Sequence, residues 1–156
     1  MTGLPIGYEV FNDVAAKTFV LRKFQSYAGW ATSNGLNGNP NEDSDNDGLP
    51  DGIEYVLGTA PKSNSAASAP AATVTGGNLV FTFTRADYSM TDSMVMVEVG
   101  TLAPPSWSLY HVGATTASSS AGITVTDNGA TDTITLSVPV GTDATKFARL
   151  RAEMSP

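Results

Sequence analysis

The run Ile123-Thr-Val-Thr-Asp-Asn-Gly-Ala-Thr-Asp-Thr-Ile-Thr-Leu-Ser-Val-Pro139 decides how the chain is read. Ile123 and Val125 alternate with threonines before Asn128-Gly129, and Ile134, Leu136 and Val138 alternate with polar residues after it. A period of two is that of a strand with one buried face. Asn and Gly both tolerate positive φ, which makes the pair the strongest short hairpin signal. The spacing predicts an antiparallel hairpin here.

Working outward, the same period governs the chain from Asn78 onward. Leu79, Phe81 and Phe83 alternate with Val80, Thr82 and Thr84, and Val95, Val97 and Val99 alternate with Met94, Met96 and Glu98. Leu109 and His111 alternate with Tyr110 and Val112, and a last strand runs from Lys146 to Ala152 through Phe147, Ala148 and Leu150. Six strands at spacings of about 10 to 15 residues predict a small antiparallel β-sandwich over residues 78–156.

Residues 59–77 are small, polar and punctuated by Pro61 and Pro70. That is linker composition, and it predicts a boundary. Residues 1–58 then form a separate N-terminal segment. Within it, 4–11 read as an extended segment, a candidate edge strand, and 14–22 fit helix and strand alike. A helix is expected from about 23 to 33, ended by Asn34-Gly35. A second, short helix is expected from Pro50 to Leu57 and ended by Gly58.

Between these helices lies Asp43-Ser-Asp-Asn-Asp-Gly-Leu-Pro-Asp-Gly-Ile-Glu54. Counted from Asp43, acidic side chains fall at positions 1, 3, 5, 9 and 12, with glycine at 6. This is the spacing of an EF-hand-type calcium loop, in which a short chain curls to give a hard cation six to eight oxygens. Asp43, Asp45 and Asp47 are the candidate side-chain ligands and Leu49 the backbone-carbonyl ligand. Asp51 is expected to act directly or through water, and Glu54 to close the shell with both oxygens. Residues 35–42 interrupt the entry, so only a following helix is expected. Pro50 stands where paired loops hydrogen-bond to each other, which predicts a solitary site. The fold class expected of the whole chain is mostly β: a small antiparallel β-sandwich preceded by a helical segment with a single EF-hand-like calcium loop.

Charge supports the same site. The 156-residue chain has 15 acidic and 8 basic residues, a net charge of −7. Residues 24–61 contain six acidic groups and no Lys or Arg, so nearly all of the imbalance lies there. Carboxylates this dense repel one another unless a cation is bound. An acidic chain is not expected to bind nucleic acid, which needs clustered Lys and Arg. There is no cysteine, and with a single histidine, His111, a zinc site is not expected. No apolar run reaches the roughly 18 residues of a membrane span. The first residues, Met1-Thr-Gly-Leu-Pro5, lack the basic and apolar regions of a signal peptide, so an exported form is expected to be mature or excised from something longer.

The stretch Asp43 to Pro61 resembles the bacterial thrombospondin type 3 calcium repeat. The likeness rests on Asp43, Asp45, Asp47, Gly48, Leu49, Asp51 and Glu54, followed by Leu57-Gly58-Thr59 and Pro61. Ala60 stands where the family has aspartate, and one copy is present where the family has several. The wider pattern is similar to a recurring C-terminal region of large secreted bacterial proteins. It is carried by Tyr27 to Trp30, Phe83-Thr-Arg85, Val97-Glu-Val99, Ser106-Trp107 and Phe147-Ala-Arg-Leu-Arg151. The resemblance implies a secreted or cell-surface bacterial module, a calcium ion as cofactor and no enzymatic activity. The alternatives are a self-assembling surface, fibre or adhesion subunit that pairs with its own copies, and a carbohydrate-binding module using Trp107 or Tyr110 against a glycan.

Other residues receive structural readings. No Gly-x-Ser-x-Gly motif offers a nucleophile. Trp30 and Trp107 are expected in the core, and Asp127 and Asp132 are expected to solvate the hairpin. Arg85, Arg149 and Arg151 are expected to solvate one face. Met90, Met94 and Met96 are expected to fill gaps in the core or at edges.

Overall fold

The computed structural model describes residues 8–13, 17–23, 26–102, 105–142 and 145–155. The alternating pattern becomes two antiparallel sheets packed face to face. β3 (Ala71–Thr75), β4 (Asn78–Ala86), β8 (Thr131–Pro139) and β7 (Ile123–Asp127) form one, in the order β3-β4-β8-β7. β5 (Ser93–Leu102), β6 (Pro105–Val112) and β9 (Lys146–Met154) form the other, in the order β6-β5-β9. Leu79, Phe81, Phe83, Ile134 and Leu136 face Val95, Val97 and Val99 across a common core. The fold is mostly β, as the periodicity predicts, and all six expected strands are present.

The N-terminal part carries a separate antiparallel pair, β1 (Tyr8–Asp13) and β2 (Thr18–Lys23). The undecided 14–22 segment is therefore strand from Thr18, while residues 14–16 lie outside the described residues. The edge strand expected at 4–11 is strand from Tyr8, and residues 4–7 likewise lie outside. Helix α1 spans Tyr27–Ser33, capped by Ser26, whose hydroxyl accepts from the Gly29 amide. It is shorter than expected, and residues 24 and 25 lie outside the described residues. Helix α2 spans Asp51–Leu57, with Pro50 at its cap and Gly58 ending it at φ +78°. No helix among the described residues is long and apolar enough to cross a membrane.

Two tight turns differ from expectation. The Asn128-Gly129 hairpin forms, but through a four-residue loop closed by the Asn128 amide on the Thr131 carbonyl, and only Gly129 has positive φ. Residues 71–75 are strand β3, inside the stretch predicted to be a linker. Gly76 and Gly77 both take positive φ, the signature of a two-residue turn, and fold β3 back along β4. All five β3 residues, Ala71-Ala-Thr-Val-Thr75, are exposed, so neither face selects for apolar residues and no alternation marks this edge.

α2 sends one face into the sandwich core. Leu49, Val56 and Leu57 belong to the same buried cluster as both sheets. On its other side Tyr55 meets α1, with ring centroids 5.5 Å from Tyr27 and 5.4 Å from Trp30, so Trp30 is core as expected. Asp92 accepts from the Tyr27 amide and from the Tyr55 hydroxyl, which pins α1 and α2 to the end of the sandwich.

Three residues read as surface or core exchange places. Asp132 is buried, not solvating the hairpin, and Arg85 is buried against it. The Arg85 Nε and Nη2 donate to Asp132 and Nη1 donates to the Gly113 carbonyl. Trp107 is 48% exposed and is not core. Met90 and Met94 are exposed and Met96 is buried. Removing one partner of a buried ion pair leaves an uncompensated charge, which costs about 3–5 kcal/mol. Asp132→Ala is therefore expected to lower stability by about that amount in denaturant titration, and Arg85→Met with Asp132→Leu to recover most of it.

Candidate metal centre

The loop is built by its own aspartates. Asp43 accepts from the amides of Asp47 and Gly48, Asp45 from that of Asp47, and Asp47 from that of Leu49. The Asp45 and Asp47 bonds, each to the amide two residues on, close turns of the type that short acidic side chains favour, and the Asp43 bonds span the loop. Asn46 at φ +62° and Gly48 at φ +96° supply the left-handed residues that bend the chain. The result gathers carboxylate oxygens of Asp43, Asp45 and Asp47 within 4.8 Å of one another.

Glu54 completes this side of the site. The first turn of α2 carries it to 0% exposure. Its Oε1 accepts from the Thr59 hydroxyl, while Oε2 is buried with no hydrogen-bond partner. Asp45 Oδ2 is the second buried oxygen without one. Asp51 stands apart, with Oδ1 accepting from the Ser44 amide and Oδ2 from the Ser44 hydroxyl. The Leu49 side chain is packed in the core, which fixes the backbone at the seventh loop position. Of the six candidate ligands the structure thus gathers the carboxylates of Asp43, Asp45 and Asp47, leaves Asp51 bonded to Ser44, and brings Glu54 close enough for the charges of Asp45 and Asp47 to act on it.

The electrostatics follow from burial and like charge. Burial pushes Glu54 up to about 7, with Asp45 and Asp47 adding to the rise and hydrogen bonds from Thr59 and Ser65 opposing it. Burial, then Asp47, raises Asp45 above the usual carboxylate range. The Gly48 amide bond holds Asp43 below it. No Lys or Arg pairs with any of these carboxylates among the described residues. An all-oxygen donor set with two orphaned buried oxygens suits a hard divalent cation, and calcium tolerates this irregular geometry better than magnesium.

The sequence reading missed the residues that brace the site. Ser65, inside the expected linker, donates its amide to Asp47 Oδ2. Ser44 holds Asp51, and Thr59 holds Glu54. Ser65 sits in a run of Ser, Ala and Pro, and nothing in such a run distinguishes it. His111 is exposed on β6. No protein-family model, no curated protein and no solved structure matches the chain.

A Cβ at position 48 meets no atom within 4 Å, so the backbone alone demands glycine there. Forcing an L-residue into this conformation costs about 1–2 kcal/mol. Gly48→Ala is expected to lower the free energy of unfolding by that amount, read in urea titration as a lower midpoint with the m-value unchanged.

Proposed function

We propose that the chain is a non-enzymatic extracellular structural or accessory module, stabilised by one calcium ion in an EF-hand-like loop of thrombospondin type 3 character. The observation that carries this reading is the Glu54 carboxylate, fully buried with one oxygen unsatisfied beside Asp45 and Asp47. Asp43, Asp45 and Asp47 would each hold the ion by a side-chain oxygen, Leu49 by its carbonyl and Glu54 by both oxygens. Asp51 would act through water or by fixing Ser44. Bound calcium supplies the positive charge that the loop lacks. A solitary site has no partner loop to which it could pass a signal, so its role is to clamp rather than to sense.

A secreted or cell-surface setting follows from this role, since a site with a dissociation constant on the order of 10 µM fills at millimolar calcium and not at cytosolic levels. At one hundred times the dissociation constant, ligand binding to the native state adds about 2.7 kcal/mol. For a chain of this size that raises the midpoint by about 5–10 °C. Differential scanning calorimetry in 1 mM calcium and in chelator is expected to show this shift for the wild type and not for Asp47→Ala. Glu54→Gln, which removes the buried charge, is expected to abolish the calcium response while raising stability in chelator. An unchanged wild-type midpoint would overturn the proposal.

A second reading, a self-assembling surface or fibre subunit, is favoured by β3. This edge strand is uncharged, fully exposed and unpaired along one side among the described residues, which is the form that accepts a strand from another copy. Size-exclusion chromatography across a concentration series decides it. A single monomer peak at every concentration, with calcium and without, removes it.

A further inference from the structure

The outer face of β6-β5-β9 is organised in rows that cross the three strands. Trp107, Gly100 and Phe147 form one row, and Leu109, Glu98 and Arg149 the next. His111, Met96 and Arg151 follow, and Met94 and Glu153 end the face. We propose that this face binds a neutral glycan chain, with Trp107 as the stacking platform and the Arg149–Glu98 pair as its hydrogen-bonding partner. The proposal is independent of the calcium reading.

The platform is built rather than incidental. A Cβ at position 100 would lie 2.8 Å from two indole carbons of Trp107, so the ring rests across β5 where glycine leaves room for it. Phe147 supports the ring from the far strand at 5.6 Å between centroids, and the Arg149 guanidinium lies 4.4 Å from the indole centroid. Trp107 nevertheless keeps 48% of its surface exposed. A pyranose has the matching shape: an apolar C–H face for the indole and a rim of hydroxyls.

The neighbouring row supplies donors and an acceptor for those hydroxyls. Glu98 is buried at the base, holding Arg149 at Nε and Arg151 at Nη1. The two terminal nitrogens of Arg149 donate to no protein group among the described residues, and a planar guanidinium offers five N–H donors in all. The face opens here into a cleft lined by Glu98, Arg149, Arg151, Pro50 and Ile53, which gives a chain longer than one sugar somewhere to run.

Charge selects the class of ligand. Arg149, Arg151, Glu98 and Glu153 are linked by ion pairs and sum to zero. An anion would meet Glu98 and Glu153, and a cation would meet the two arginines. A neutral ligand that both gives and accepts hydrogen bonds meets neither penalty. A protein partner fits less well, because specific interfaces place an apolar centre inside a polar rim. Here the exposed Trp107 and Leu109 lie together on the edge strand β6, the ion-paired Glu98, Arg149 and Arg151 lie to one side of them, and Met94 stands at the other end, so no apolar centre is ringed by polar groups.

Affinity electrophoresis tests the proposal with soluble mixed-linkage β-glucan, xylan, galactomannan and starch, and with alginate as the charged control. Tryptophan fluorescence under the same ligands reports on Trp107, since Trp30 is buried. The expected result is retardation by at least one neutral polysaccharide, with shielding of Trp107 from acrylamide quenching. Trp107→Ala is expected to weaken binding about tenfold or more at an unchanged thermal midpoint, and Trp107→Phe to recover part of it. Gly100→Ala, which pushes the indole off its seat, is expected to weaken binding with Trp107 still present. No retardation by any neutral polysaccharide, retardation by alginate alone, or full binding by Trp107→Ala would each overturn the proposal. So would a concentration-dependent dimer that Trp107→Ala dissolves.

Discussion

The seven residues of α2 perform two opposed tasks at once. Val56 and Leu57 fill the core shared by both sheets, and Glu54, on the same helix, is carried inside with them. Burying an aliphatic side chain of that size contributes about 1.5–3 kcal/mol. Burying a carboxylate without a countercharge costs several kcal/mol after relaxation. The two terms are of similar size and opposite sign, so the seating of α2 depends on how Glu54 is neutralised. A proton can do it, which is why burial raises the carboxyl to about 7. A divalent cation shared with Asp43, Asp45 and Asp47 would do it while relieving their mutual repulsion as well.

What rests on α2 spreads outward from Tyr55. A helix as short as α1 has no stability of its own in water, because nucleation is unfavourable and few hydrogen bonds repay it. α1 is held instead by Tyr27 and Trp30 packing on Tyr55, and by Asp92, which reaches from the end of β5 to the first amide of α1 and the Tyr55 hydroxyl. On the other side, residues 59–65 fold back over the loop, with Thr59 on Glu54 and Ser65 on Asp47. Loop, helix and returning strap are tied through three carboxylates, so disorder in one is felt by the others.

The β architecture was legible in the sequence because its inner faces are strictly alternating. Val95, Val97 and Val99 on β5 and Ile134, Leu136 and Val138 on β8 leave little ambiguity about which side is buried. The gathering of Asp43, Asp45 and Asp47 was legible for a different reason, since alternate residues of a curled chain are brought together by local geometry. What could not be read is whatever depends on contacts distant in sequence. Nothing local to Asp132 signals that Arg85, 47 residues away, lies beneath it. β3 carries no alternation because neither of its faces is buried. Trp107 looks like a core residue until Gly100 on the neighbouring strand places it flat on the outside.

The buried acids of this chain can be compared with one another, and the comparison isolates one of them. Asp132 is neutralised by Arg85, which approaches with two donors. Glu98 is neutralised by Arg149 and then Arg151, and these bonds hold its carboxyl below the usual range. Asp51 has both oxygens satisfied by Ser44. Of these four buried acids, Glu54 alone has an oxygen unsatisfied and no Lys or Arg paired with it among the described residues, and it shifts in the direction opposite to Glu98. Two buried carboxylates have thus been given an arginine. Glu54 sits where residues 24–61 supply none, among three further carboxylates that a cation would join to it.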